Sequence, residues 1–109
     1  MLRVYYVDDE PELCELFEDL FSSDEVRVVT FTSPILALEA ILSSQPDLLF
    51  TDYRMPGMNG VELAKKTDPQ LKKILISGEN NLVTDFNFEF ILTKPLDTKI
   101  IQEIIAKSK

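Results

Sequence analysis

Histidine is absent from this chain and cysteine occurs once. Without imidazole, most acid–base and nucleophilic chemistry built on histidine is excluded. A lone Cys14 excludes a disulfide framework and a thiolate metal site. It falls between Leu13 and Leu16 on an apolar helical stripe, so a buried structural thiol is expected. No apolar run approaches the roughly 20 residues that span a bilayer, and no secretory leader is visible. A cytoplasmic protein with no membrane partner is the expectation. Basic residues are scarce, 11 Lys and Arg against 19 Asp and Glu, for a net charge of −8. Phosphate backbones require a basic face, so direct nucleic-acid binding is not expected.

What is present is ordinary for a folded protein: 45% hydrophobic and 28% charged residues over 109 positions. That length suits one domain, residues 1–109, with a single sheet and flanking helices and no effector module. Apolar runs alternate with amphipathic ones, the pattern of a parallel sheet covered on both faces. The spacing predicts strands at 2–7, 26–31, 48–51, 73–77 and 89–93. Between and after them it predicts helices from about Glu10, with Asp9 as N-cap, from Pro34 to Ser44, from Asn59 to Lys66 and from Asp97 to Lys107. The stripes expected to face inward are Leu13, Leu16, Phe17, Leu20 and Phe21, then Ile35, Leu38, Ile41 and Leu42, and finally Ile100, Ile101, Ile104 and Ile105. Between Ser77 and the last strand only residues 80–87 remain for a crossover, whereas parallel crossovers take about a dozen residues or more. A helix there is expected to be very short, irregular or missing.

Chemistry-bearing residues recur at the strand ends. Asp8-Asp9 follows Val4-Tyr5-Tyr6-Val7, Asp52 follows Leu48-Leu49-Phe50-Thr51, Ser77 follows Ile74-Leu75-Ile76, and Lys94-Pro95 follows Phe90-Ile91-Leu92-Thr93. The C-terminal ends of strands are where open α/β sheets bind ligands. Three carboxylates gathered there repel one another, and a hard divalent cation such as Mg²⁺ relieves the repulsion. Each residue also has a plainer reading. Asp52 could cap the loop after it, Asp9 the helix after it, Ser77 could form a turn, and Lys94 could be a solvated surface lysine.

The ordered set, with the run Thr51-Asp52-Tyr53-Arg54-Met55-Pro56-Gly57-Met58-Asn59-Gly60, resembles the receiver domain of two-component response regulators over residues 2 to about 107. The resemblance implies a flavodoxin-like doubly wound sheet of order 2-1-3-4-5. It implies phosphoryl transfer from a phosphohistidine donor to Asp52, assisted by Lys94 and Ser77. Asp9, Asp52 and the backbone carbonyl of Arg54 would hold Mg²⁺, with Asp8 acting through water. Because the chain has no histidine, the donor must be another protein, a histidine kinase or histidine phosphotransfer protein. The family's Lys-Pro bond is cis, which implies a cis bond before Pro95. Gly78 leaves the site open on one side. Arg54 and Glu79, of opposite charge, flank the path of the hydrolytic water and are expected to pair.

This chain departs from the family at Ile91, which stands where a switch aromatic is usual, beside Phe90. With the shortened crossover, Leu82, Val83, Phe86, Phe88 and Phe90 could leave apolar surface for a downstream protein or a homodimer. Two readings compete. One is a receiver-like interaction module acting largely without phosphorylation. The other is an Mg²⁺-dependent phosphohydrolase, but that usually carries Asp-x-Asp after the first strand and a cap, and this chain has neither.

Overall fold

Leu48–Asp52 is buried along its whole length, as a central strand covered on both faces must be. In the computed structural model, which describes residues 1–79, 82 and 84–109, it is the third of five strands. The order along the chain is β1 (Leu2–Val7), α1 (Pro11–Phe21), β2 (Val26–Phe31), α2 (Pro34–Ser43), β3 (Leu48–Asp52), α3 (Gly60–Lys65), β4 (Lys72–Ser77), β5 (Phe90–Thr93) and α4 (Thr98–Ser108). All neighbours pair in parallel in the order β2-β1-β3-β4-β5, the doubly wound topology.

Strand alternation divides the core in two. Val4, Tyr6, Leu48, Phe50, Ile74 and Ile76 face α1 and α4, while Tyr5, Val7 and Leu49 face the opposite layer with Ala37, Ile41 and Leu63. Helix starts follow local chemistry. Ser33 accepts a hydrogen bond from the Leu36 N–H, and Asn59 and Glu62 form a reciprocal capping box. Asp97 accepts from Lys99 and Ile100. At α1 the N-cap is Glu10 rather than Asp9, because Pro11 already occupies the first turn; Asp8 Oδ1 takes the Glu10 N–H.

The apolar stripes are narrower than periodicity suggests. On α1 the buried residues are Cys14, Phe17 and Phe21, and Leu16 is 47% exposed. On α2, Pro34, Ala37 and Ile41 are buried while Ile35 and Leu42 face solvent. That helix is apolar nearly all round, so its pattern carries no contrast to choose a face. On α4, Ile101, Ile104 and Ile105 are buried and Ile100 is exposed.

No helix occurs between β4 and β5 among the described residues. Asn80, Asn81 and Val83, on which part of that expectation falls, lie outside them. The remainder is held by side chains instead. Phe88 joins Ala64 and Leu75 in a small cluster to which Leu82 and Phe86 add. The Phe86 and Phe88 rings meet edge-on at 4.8 Å. Buried Lys73 lies 5.4 Å from the Phe86 ring centre and donates to the Asp68 carbonyl at 2.7 Å. Lys65 reaches Asp85 at 3.3 Å. Among the described residues of the expected uncovered set, Phe90 stays exposed, with Ile91 exposed beside it on β5.

Candidate functional site

Register builds the site. Val7 pairs with Thr51, so Asp8 and Asp52 emerge side by side at the C-terminal edge between β1 and β3. Asp52 in turn pairs with Ile76, one step before Ser77, and Ser77 pairs with Thr93, one step before Lys94. The Lys94 N–H donates to the Ser77 carbonyl at 2.8 Å, extending the ladder by one bond. Residues far apart in sequence thus end their strands at one level, where a doubly wound sheet reverses its winding.

The ligand atoms of Asp8, Asp9 and Asp52 lie within 4.8 Å of one another. Asp9 is exposed, whereas Asp8 is 0% exposed and Asp52 is buried. Lys94 Nζ bridges the buried pair, 3.3 Å from Asp52 Oδ2 and 3.4 Å from Asp8 Oδ2. Asp52 Oδ1 accepts the Tyr53 N–H at 2.9 Å. Asp8 is more fully bonded: Oδ2 also accepts from the Tyr6 hydroxyl at 2.8 Å, and Oδ1 from the Glu10 N–H at 3.0 Å.

Charge is unbalanced in this cleft. Burial, with the Asp8 charge adding to it, raises the Asp52 pKa above the usual carboxylate value against the pull of Lys94 and the Tyr53 N–H. Burial works against charge on Lys94, but Asp8 and Asp52 outweigh it and raise its pKa. Burial and then Asp8 push the Tyr6 phenol far above its ordinary value, so it remains a donor. One ammonium beside three carboxylates leaves room for further positive charge, the environment a hard cation seeks.

The loops frame this cleft. Gly57 takes a positive φ of 86°, which suits glycine. Gly60 opens α3 directly against β3: its N–H donates to the Tyr53 carbonyl, and a Cβ there would come within 2.3 Å of the Asp52 carbonyl oxygen. Ser77 is buried, and its Oγ accepts the Glu79 N–H at 3.0 Å; among the described residues it donates to no other group. Gly78 is exposed, and apart from its chain neighbours none of the described residues comes within 4 Å of where a Cβ would stand. Arg54 and Glu79 form an ion pair across the mouth, Nε to Oε1 at 2.6 Å. The Lys94–Pro95 bond is cis. Beside Asp9, residues Tyr53 to Pro56 and Asn59 line an open cavity of about 370 Å³.

The family described as "Response regulator receiver domain" matches residues 4–106. This chain belongs to that family. Three relatives give the receiver domain its context. An uncharacterized response regulatory protein of Yersinia pestis is 33% identical over 124 residues, which cover 99% of this chain and 52% of that protein. Sporulation initiation phosphotransferase F of Bacillus subtilis is 25% identical over 113 residues, covering 96% of this chain and 91% of that protein. The crystal structure of response regulator protein TrrA from Thermotoga maritima, in complex with Mg²⁺-BeF, superposes with a TM-score of 0.87 at 26% identity over the whole of both chains. The receiver domain thus spans about half the first relative and nearly all of the second. Its function is that of a response regulator receiver in two-component signal transduction. Among its described residues no helix is long and apolar enough to cross a membrane.

The receiver domain brings together Asp8, Asp9, Asp52 and Lys94, the residues marked by the strand-end pattern, with Ser77 at the same edge. Ile91 stands apart, exposed on β5. Sequence reading missed Tyr6, treated as part of an apolar strand. The signal was there: residues two apart on a strand share a face, so Tyr6 points with Asp8.

Proposed function

We propose that Asp52 accepts a phosphoryl group from a phosphohistidine on a separate histidine kinase or phosphotransfer protein in the cytoplasm, and that residues 1–109 act as one receiver unit. The observation that carries this is the meeting of three carboxylates and one lysine at adjacent strand ends. An Asp52 carboxylate oxygen attacks phosphorus, the P–N bond breaks, and the imidazole leaves with its electron pair and takes up a proton. Carboxylates are weak nucleophiles, so the protein's contribution is alignment and charge neutralisation. The Tyr53 N–H holds Oδ1 and Lys94 faces Oδ2, fixing the plane of the carboxylate. Lys94, already at Asp52 Oδ2, and the Ser77 hydroxyl at the same sheet edge would donate to a phosphoryl group on Asp52.

The donor set of the cluster fits Mg²⁺, with oxygen ligands only and an excess of negative charge. Asp9, Asp52 and the Arg54 carbonyl would hold it, and Asp8, whose oxygens are already bonded, would act through water. Bound there, the ion would neutralise the donor's phosphate against the carboxylates. The domain modifies itself rather than turning over a substrate. A net charge of −8 directs its output to a protein partner rather than to nucleic acid.

Mass spectrometry after incubation with acetyl phosphate tests this. One phosphoryl mass should appear with Mg²⁺ and not with a chelator, and Asp52→Asn should abolish it. A modification that persists in that variant refutes Asp52 as the nucleophile.

A further inference from the structure

The two tyrosines of β1 do different things. Tyr5 turns to the opposite layer, where its hydroxyl donates to the Ser44 carbonyl at 3.1 Å. Tyr6 is wholly buried under α1, its ring stacked on Phe17 with centroids 4.1 Å apart and planes 13° from parallel. Phe17 in turn packs against Phe21 and Phe50. This aromatic group fixes the phenol, and its hydroxyl meets Asp8 Oδ2 at 2.8 Å.

Of the donors on Asp8, Tyr6 is the closest. Glu10 N–H holds only the other oxygen, and Lys94, at 3.4 Å and 24% exposed, is a long side chain shared with Asp52 and Glu10. We propose that Tyr6 is a positioning residue of the cation site: its hydroxyl, anchored by the stack on Phe17, sets the orientation in which the Asp8 carboxylate faces Lys94 and the Mg²⁺ position together. Without that hydroxyl the carboxylate pivots about its Glu10 contact toward the ammonium and away from the cation. Partners that orient metal-site carboxylates commonly matter nearly as much as the ligands. The inference rests on the Mg²⁺ reading above.

Calorimetric titration of Mg²⁺ into wild type, Tyr6→Phe, Asp8→Ala and the double variant tests it, with thermal melts in chelator beside each. Tyr6→Phe keeps the ring stack, so its fold in chelator should be retained. Its Mg²⁺ affinity should fall by roughly three- to fivefold, less than the ~10-fold that losing the partner of a direct ligand costs, because Asp8 acts on the ion through water. In the Asp8→Ala background the same change should have no further effect. An affinity indistinguishable from wild type overturns the proposal. So does an equal loss in the Asp8→Ala background, because Tyr6 would then act through packing alone. Wild type that binds no Mg²⁺ overturns the reading beneath it, a result distinct from either.

Discussion

Gly60→Ala adds a single methyl group at the first position of α3, where the structure has no room for it. The new Cβ would stand 2.3 Å from the Asp52 carbonyl oxygen and 2.8 Å from Leu75 Cδ1. The leucine tip can rotate, but the carbonyl is backbone of a buried central strand and cannot yield without moving Asp52 itself. A Cβ is essentially never found closer than 3.0 Å to another heavy atom, so about 0.7 Å must be gained. Overpacking of this kind costs ~1–3 kcal/mol, and a backbone neighbour argues for the upper end. Alanine's helix preference over glycine returns at most ~1 kcal/mol, leaving a net loss of ~2 kcal/mol. For a domain of this size that lowers Tm by ~8 °C or more. Gly78→Ala is the control, since apart from its chain neighbours none of the described residues lies within 4 Å of a Cβ there; its Tm should change by only ~1–2 °C. Far-UV circular dichroism melts of both variants read the difference. Mg²⁺ titration should also show weaker binding by Gly60→Ala, because the displaced carbonyl belongs to Asp52. If Gly60→Ala melts with Gly78→Ala, the close approach of α3 to β3 is not what positions the acceptor.

Lys94→Met should destabilise the domain in chelator by ~1–2 kcal/mol, less than the ~3–5 for a fully buried pair because Lys94 is partly exposed; excess Mg²⁺ should restore more Tm to the variant than it adds to wild type, and equal melting in chelator would refute the bridge. Alanine at both Arg54 and Glu79 should speed loss of phosphate from Asp52 by a few-fold at most, since an exposed pair is worth ~0–1 kcal/mol; an unchanged or slower rate, followed by mass spectrometry, counts against a gate at the mouth. Burial lowers the Lys73 pKa, against a raising pull from Asp68. Above that lowered value and below the ordinary lysine value, the unfolded chain carries more of this proton than the folded one, so wild-type stability gains as pH rises through the window. Urea unfolding of wild type and Lys73→Met from about pH 8 to about pH 10 should therefore move the stability difference in favour of wild type, and a constant difference would show that Lys73 is not effectively desolvated.

The strand-end residues were legible because each is marked locally. A short apolar run ends, a turn former follows, and the polar residue between them has no place in the core. That logic located Asp8, Asp9, Asp52, Ser77 and Lys94, and the spacing after Ser77 announced that a regular crossover helix would not fit. The Arg54–Glu79 pair was expected from the sequence, and the structure forms it. Other pairings only tertiary structure decided: Lys73 finds the Phe86 ring because parallel register sets β4 and the segment before β5 side by side. On α2, apolar residues surround the helix, and it is packing against the sheet that buries Pro34, Ala37 and Ile41 and leaves Ile35 and Leu42 in solvent. Tyr6 shows the boundary most clearly. Strand alternation fixes that it shares a face with Asp8, but only the Phe17 ring folded against it holds the hydroxyl at the carboxylate. Periodicity records which residues avoid water; the distances between groups far apart in sequence arise only when the whole sheet and its helices bury their faces together.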